Sequence, residues 1–216
     1  MRRKIIDISA GVSPDTVVYP GDPEPIFESV SSIDQDGYAV SRVSLGTHTG
    51  THVDAPSHIL KEGLSIESIP IESFVGEAIV LDLSFAESEI SCNDLVIAFE
   101  EFMEEYTSDV QVLLIKTRTS FDVDMKGPSL AVVRNLDSNA GIWILEHGFR
   151  TVGVDTLSVD VDASLDNHRT FLENGILIVE NLDFSEVDAG FYQFVCLPLK
   201  LHNCDAAPAR AILIEK

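Results

Sequence analysis

Ala78-Ile79-Val80-Leu81-Asp82-Leu83 is a nearly continuous apolar run of strand length. A strand apolar on both faces is one buried on both faces. The stretch 91–106 that follows places Leu95, Phe99 and Phe102 on one helical stripe, and Ser91 with Asp94 three residues on has the form of a capping box. Val110 to Thr117 is the next buried strand. Working outward to the C-terminus, a helix begins near Ser129 and runs to about Ser138, and Ala140 to Glu146 continues its apolar pattern. Strand Thr151 to Asp155, helix Asn167 to Glu173 and strand Ile176 to Glu180 follow, then strands Tyr192 to Leu199 and Ala211 to Ile214. Toward the N-terminus, Ile5 to Ser9 and Ala39 to Leu45 read as strands. Thr16 to Tyr19 is a further candidate between the turn signals Pro14-Asp15 and Pro20-Gly21-Asp22-Pro23. Strands alternate with helices in the middle and dominate both ends, which is an α/β or α+β domain on a mixed sheet. Periodicity alone leaves its topology open.

The chain has 216 residues, 45% of them hydrophobic and 23% charged, which suits one domain spanning residues 1–216. No apolar run approaches the roughly 18 residues of a membrane span, and Met1 to Asp7 lacks the apolar core of a signal peptide. The chain is therefore expected in the cytoplasm, away from membranes. Cys92, Cys196 and Cys204 are widely spaced and odd in number, so they read as reduced structural thiols. A formal charge of -22 repels phosphate backbones and argues against a nucleic-acid partner.

Three of the six histidines fall in His48-Thr49-Gly50-Thr51-His52-Val53-Asp54-Ala55-Pro56-Ser57-His58. His48, His52, Asp54 and His58 all occupy even positions. If the preceding strand continues, His48, His52 and Asp54 point to one face, and Gly50 leaves room between them for a metal or substrate to approach. Pro56 ends the strand and sets His58 on a turn beside the same pocket. Two imidazoles and a carboxylate are good ligands for Zn²⁺, Mn²⁺ or Fe²⁺. With only three protein ligands an ion keeps room for water, whose pKa it lowers towards neutrality.

This segment resembles the HxGTHxDxPxH signature of the cyclase-like metal-dependent hydrolases, whose best-understood members are bacterial kynurenine formamidases (arylformamidases). The likeness runs along nearly the whole chain. Asp7-Ile8-Ser9 and Tyr19-Pro20-Gly21-Asp22-Pro23 resemble the family's DIS and WPGDP elements, and Gly153 to Asp160 its GIDTPSxD stretch. Leu197 to Leu201 and Asp205 to Arg210 resemble LPLKL and DASPxR. The resemblance implies one ion, Zn²⁺ before Mn²⁺, on His48, His52 and Asp54. It implies a second on Asp54, His168 and Glu180, with His58 as general acid/base. It further implies a swivelling β/β/α-type single domain with a central mixed β-sheet or barrel, a homodimer or homotetramer, and a small-molecule amide as substrate. A carboxylate such as Glu180 at the end of an apolar strand needs a partner, which a metal would supply.

Three positions depart from the family pattern: Tyr19 stands for Trp, Arg169 for a second His after His168, and Asn203 for Gly. Asn203 is mild, because Asn tolerates left-handed backbone. Tyr19 and Arg169 fall where substrate is expected, with Tyr19 the candidate substrate contact. The leading reading is hydrolysis of N-formylkynurenine, and the second is hydrolysis of a cyclic amide or lactone, as in isatin hydrolases. A non-enzymatic metal-binding module is the reading from another class. Asp160, Asp162 and Asp166 read as a solvated loop without the Gly and closing Glu of an EF-hand. Asp155 and Ser158 are candidates to brace the site, and His147 reads as a helix-end residue.

Overall fold

The computed structural model describes residues 3–87, 89–117, 134–160 and 164–216. Its strands are β1 (Ile5–Asp7), β2 (Ile26–Ser31), β3 (Val40–Ser44), β4 (His52–Asp54), β5 (Val75–Asp82), β6 (Val110–Lys116), β7 (Thr151–Val154), β8 (Leu177–Glu180), β9 (Gly190–Pro198) and β10 (Ala206–Glu215). Its helices are α1 (Ile33–Asp36), α2 (Cys92–Glu100), α3 (Ser138–Glu146) and α4 (Asp166–Glu173).

The apolar runs become parallel neighbours: β5 pairs with β6, β6 with β7 and β7 with β8. β4 then pairs antiparallel with β8, β10 with β4, β9 with β10 and β5 with β9. These pairings close a seven-stranded mixed ring, and β1 adds to β10 on the edge that also carries β4. The central barrel expected from the resemblance is therefore present.

Period-two alternation then sorts the side chains. Ala78, Val80, Val112, Leu114, Leu177, Val179, Phe194 and Leu213 fill the inside of the ring. Ile79, Leu81, Leu113, Ile115, Val152, Val154 and Ile178 face outward and pack under α2, α3 and α4, through Leu95, Phe99, Trp143, Ile144 and Phe171. Because the middles of β5 and β6 are covered on both faces, Ala78 to Leu81 and Val112 to Ile115 are apolar at every position rather than every second one. A fully buried Leu, Ile or Phe contributes about 1.5–3 kcal/mol, so this double layer is what holds the ring rigid.

α2 begins as its sequence dictates. Ser91 Oγ accepts from Asp94 N, and Asp94 Oδ2 accepts from Ser91 N, which completes the capping box. Of the helix expected from Ser129 to about Ser138, residues 129–133 lie outside the described residues, and residues 134–137 are not helical, since Leu136 forms an isolated bridge to Ile90. The helix that is described, α3, starts at Ser138 instead of ending there, with Asp137 as its cap, and ends at His147. Thr16 to Tyr19 is not a strand: Tyr19 instead opens a turn closed by Asp22 N–H donating to Tyr19 O at 2.9 Å. β3 matches the strand read over Ala39 to Leu45, but it pairs only with β2, as a separate two-stranded sheet. β2 has Ile26, Phe27 and Val30 exposed on both of its faces, so its sequence carries no inward-outward alternation.

Candidate metal centre

The outward alternation of β4 and β8 builds the site. Val53 points into the ring, so its neighbours His52 and Asp54 point out. His52 lies directly opposite Glu180 across the antiparallel β4–β8 pair, and such pairs place side chains in contact. All three side chains are buried.

His48 reaches the same place by a different route from the one its spacing suggests. The chain leaves β3 at Ser44, turns with Thr49 N–H donating to Gly46 O, and enters β4 only at His52. His48 therefore arrives from a turn and not along a continuous strand. Its Nδ1 lies 2.9 Å from Asp54 Oδ1. Gly50 has a different role from the one its position suggests. It has φ +64, and a β-carbon there would come within 2.6 Å of Val12 Cγ2. Its carbonyl accepts from His52 Nδ1 at 2.8 Å, which turns His52 Nε2 toward the carboxylates. Gly50→Ala is expected to destabilise the fold by about 1–3 kcal/mol, read as a lower unfolding midpoint. Unchanged stability would show that the turn relaxes freely.

His168 comes from α4, and the structure explains its placement. The N-cap position of α4 is Leu165, in left-handed backbone with no side-chain cap. The cap is supplied by Asp160, whose carboxylate accepts from Asn167 N at 2.8 Å and His168 N at 3.0 Å. The same carboxylate lies 2.6 Å from His168 Nδ1 and so fixes the ring with Nε2 inward. Asp160 is thus buried and structural to the site, contrary to its reading as a solvated loop residue. Asp166 is exposed as expected, and Asp162 lies outside the described residues. His168, which has the composition of a surface helix residue, is buried.

His52 Nε2 lies 3.3 Å from Asp54 Oδ1 and 3.4 Å from Glu180 Oε2. His168 Nε2 lies 3.4 Å from Asp54 Oδ2 and 3.6 Å from Glu180 Oε1. His52 Nε2 and both Asp54 oxygens are buried without a hydrogen-bond partner. Orphaned buried groups are costly and rare. Their spacing has a simple meaning: two ligand atoms each about 2.0–2.1 Å from a tetrahedral ion stand about 3.3 Å apart. The donor set therefore fits a divalent ion, and Asp54 turns one oxygen toward His48 and His52 and the other toward His168.

Burial opposes charge on His52, but Asp54 and Glu180 outweigh it and raise its pKa to about 10. Burial likewise opposes charge on His168, while Asp160 and Asp54 raise it to about 10. Asp54 is held well below the ordinary carboxylate value despite its burial, by His168, His48 and His52 around it.

His58 stands on a 3-10 turn, Pro56–His58, which begins where Pro56 ends β4. Its ring centroid is 4.3 Å from that of His48 and 5.5 Å from that of His168. Burial lowers its pKa, so the ring is neutral at pH 7. Asp205 Oδ2 lies 3.0 Å from His48 Nε2 and 3.5 Å from His58 Nδ1. Asp205 and Asp160 are the site residues that reasoning about ligands passes over. Both sit in segments that carry the family likeness, Asp160 closing one and Asp205 opening the other. Asp155 accepts from Thr117 N and Oγ1 and braces β6 against β7. Ser158 Oγ accepts from Asp160 N.

A cavity of about 260 Å³ opens over the cluster and is lined by Tyr19, Asp22, His48, His58, Leu157, Ser158, Leu165, His168, Glu180 and Asn181. Tyr19 is thus where a substrate contact was expected. Arg169 is exposed and outside the lining. Asn203 has φ +57, the backbone that a Gly-for-Asn exchange requires. The three cysteines are free, and burial pushes the Cys196 thiol up to about 12.

The Cyclase family model matches residues 6–161. A protein of Salinibacter ruber named kynurenine formamidase is 35% identical over 97% of this chain and 96% of its own length. The structure of a predicted metal-dependent hydrolase from Bacillus stearothermophilus superposes with a TM-score of 0.82 at 27% identity, covering 100% of both chains. Isatin hydrolase A of Labrenzia aggregata shares the fold, with a TM-score of 0.84 over 98% of this chain and 93% of its own, at 23% identity. With a model match over most of its residues and a relative this similar end to end, the chain belongs to the Cyclase family.

Proposed function

We propose that the chain is a metal-dependent amidohydrolase that cleaves N-formylkynurenine to kynurenine and formate. The observation that carries this reading is the cluster of half-buried His48 with buried His52, Asp54, His168 and Glu180, whose facing atoms lie 2.9–3.6 Å apart beneath an open cavity. His48, His52 and Asp54 would hold one ion, and Asp54, His168 and Glu180 a second. Zn²⁺ is the first choice for these donors and Mn²⁺ the second. The name of the Salinibacter ruber relative supports the substrate. A homodimer or homotetramer in the cytoplasm completes the proposal. Among the described residues, no helix is long and apolar enough to cross a membrane.

When bound, the ion makes water acidic near neutral pH and polarises a carbonyl oxygen. The chain's own residues do the rest. Neutral His58 accepts the proton of the attacking water and returns it to the aniline nitrogen as the C–N bond breaks. Asp205 steadies His58 and His48 through their ring nitrogens. Tyr19, at the cavity rim, covers the aryl ring.

Without an ion, His52 and His168 keep their protons up to about pH 10. In the metal-free protein the stability supplied by these charged rings is complete below their ordinary value of 6.5 and is lost as pH rises through about 10. Adding Zn²⁺ at pH 7 is expected to release about two protons per ion pair bound. Calorimetry in buffers of different ionisation enthalpy reads that number, and a value near zero would show that these rings do not give up protons to a bound ion.

The deciding experiment is metal analysis of the purified protein followed by assay with N-formylkynurenine and with isatin. Bound divalent metal with turnover of N-formylkynurenine is the expected result. Full metal with turnover of isatin alone would replace this reading with the cyclic-amide one. Metal with turnover of neither would favour a non-enzymatic module.

A further inference from the structure

The cavity carries one charged side chain that the reaction does not use. In the turn Tyr19-Pro20-Gly21-Asp22, Asp22 N–H donates to Tyr19 O at 2.9 Å and Gly21 has φ +104. That is the backbone a type II turn requires at its third residue, and Pro20 fixes the second. The stiff turn holds Tyr19 and Asp22 together in the cavity wall. Among the described residues, no hydrogen bond or ion pair engages the Asp22 carboxylate. Among the described residues, no Lys or Arg lines the cavity, and the one other acid in the lining, Glu180, belongs to the metal cluster. An aromatic ring and a spare carboxylate side by side, with no cation among the described lining residues to answer them, suit a ligand that is itself aromatic and cationic.

We propose that Asp22 selects substrate by pairing with an ammonium group on a chain attached to the aryl ring, while Tyr19 covers the ring. This rests on the formamidase reading, because N-formylkynurenine carries an α-ammonium on the side chain next to its formamide. Among the described residues, the cavity lining offers no cationic partner to the carboxylate of that side chain. The pocket therefore reads the ammonium and ignores the acid. It discriminates against aryl amides that carry only a carboxylate.

Three probes separate these features: N-formylkynurenine, formylkynuramine (ammonium without carboxylate) and 2′-formamidoacetophenone (neither). The parent protein is expected to prefer both ammonium-bearing probes over 2′-formamidoacetophenone, chiefly through KM. Asp22→Asn is expected to lower that preference in kcat/KM by about tenfold, the effect of removing one partner of a partly desolvated charge pair. Equal kcat/KM for formylkynuramine and 2′-formamidoacetophenone in the parent protein would overturn the proposal without any variant. So would a preference that survives Asp22→Asn. Either result leaves the formamidase reading standing as long as N-formylkynurenine is turned over. Turnover of none of the probes by the metal-loaded parent would remove both.

Discussion

Asp54→Asn is expected to lose nearly all bound metal and to reduce turnover by at least about 1,000-fold, which corresponds to roughly 4 kcal/mol of lost transition-state stabilisation. Asp54 meets all three imidazoles through its two oxygens, whereas Glu180 meets two: Oδ1 lies 2.9 Å from His48 and 3.3 Å from His52, and Oδ2 3.4 Å from His168. It is fully buried, and its negative charge balances three imidazoles. Asparagine keeps the shape and removes the charge, so a folded variant isolates the electrostatic contribution. Elemental analysis, circular dichroism and an N-formylkynurenine assay would be run on the same preparation. A folded Asp54→Asn protein with full metal and near-parental turnover would dispose of the shared-ion reading of the cluster.

His58→Ala is expected to lower kcat by about 100- to 10,000-fold, the range for loss of a general acid/base, while metal content stays at the parental level. The separation matters, because His48, Asp54 and His58 also lie close enough to hold an ion among themselves. If metal content falls with activity, His58 is a ligand and the proton carrier must be sought elsewhere. The pH profile gives a second readout. Burial lowers the His58 pKa, so the base form gains as pH rises through a value below 6.5, and kcat/KM of the parent should rise with it. That limb should be missing in the variant. A variant that retains it assigns the titration to another group.

The parts of the fold that were legible are those in which one physical rule acts alone. Ala78 to Leu81 in β5 and Val112 to Ile115 in β6 are apolar throughout because both faces are covered, and α2 announces its start with a capping box. Parts governed by two rules were misread. Residues 40–54 alternate as one strand would, yet positive φ at Gly50 and the turn at Gly46 divide them. The consequence for the site was small, because a turn and a strand can deliver His48 to the same point. β2 escaped notice because it lies exposed on both faces. His48, His52, Asp54 and His58 stand out in the sequence as one dense pattern of imidazoles and a carboxylate, whereas His168 and Glu180 come only from the family resemblance; the fold brings all six side chains together. Asp160 and Asp205 were not legible, because an acid that orients a histidine is indistinguishable in sequence from an acid that faces water. Only the folded chain shows that Asp160 caps α4 and that Asp205 spans two rings.

The double attachment of β10 has a bearing on how the protein is made. Its first residues, Ala206 to Pro208, zip onto β4, and the rest run along β9, with Asp205 delivered to His48 and His58 just before them. A chain still emerging from the ribosome can stack β5 to β8 under their helices, but β4 keeps one bare flank and Asp205 is not yet in place. Catalytic competence thus waits until residues 206–215 have cleared the exit tunnel, and a nascent chain stalled before them would be inert.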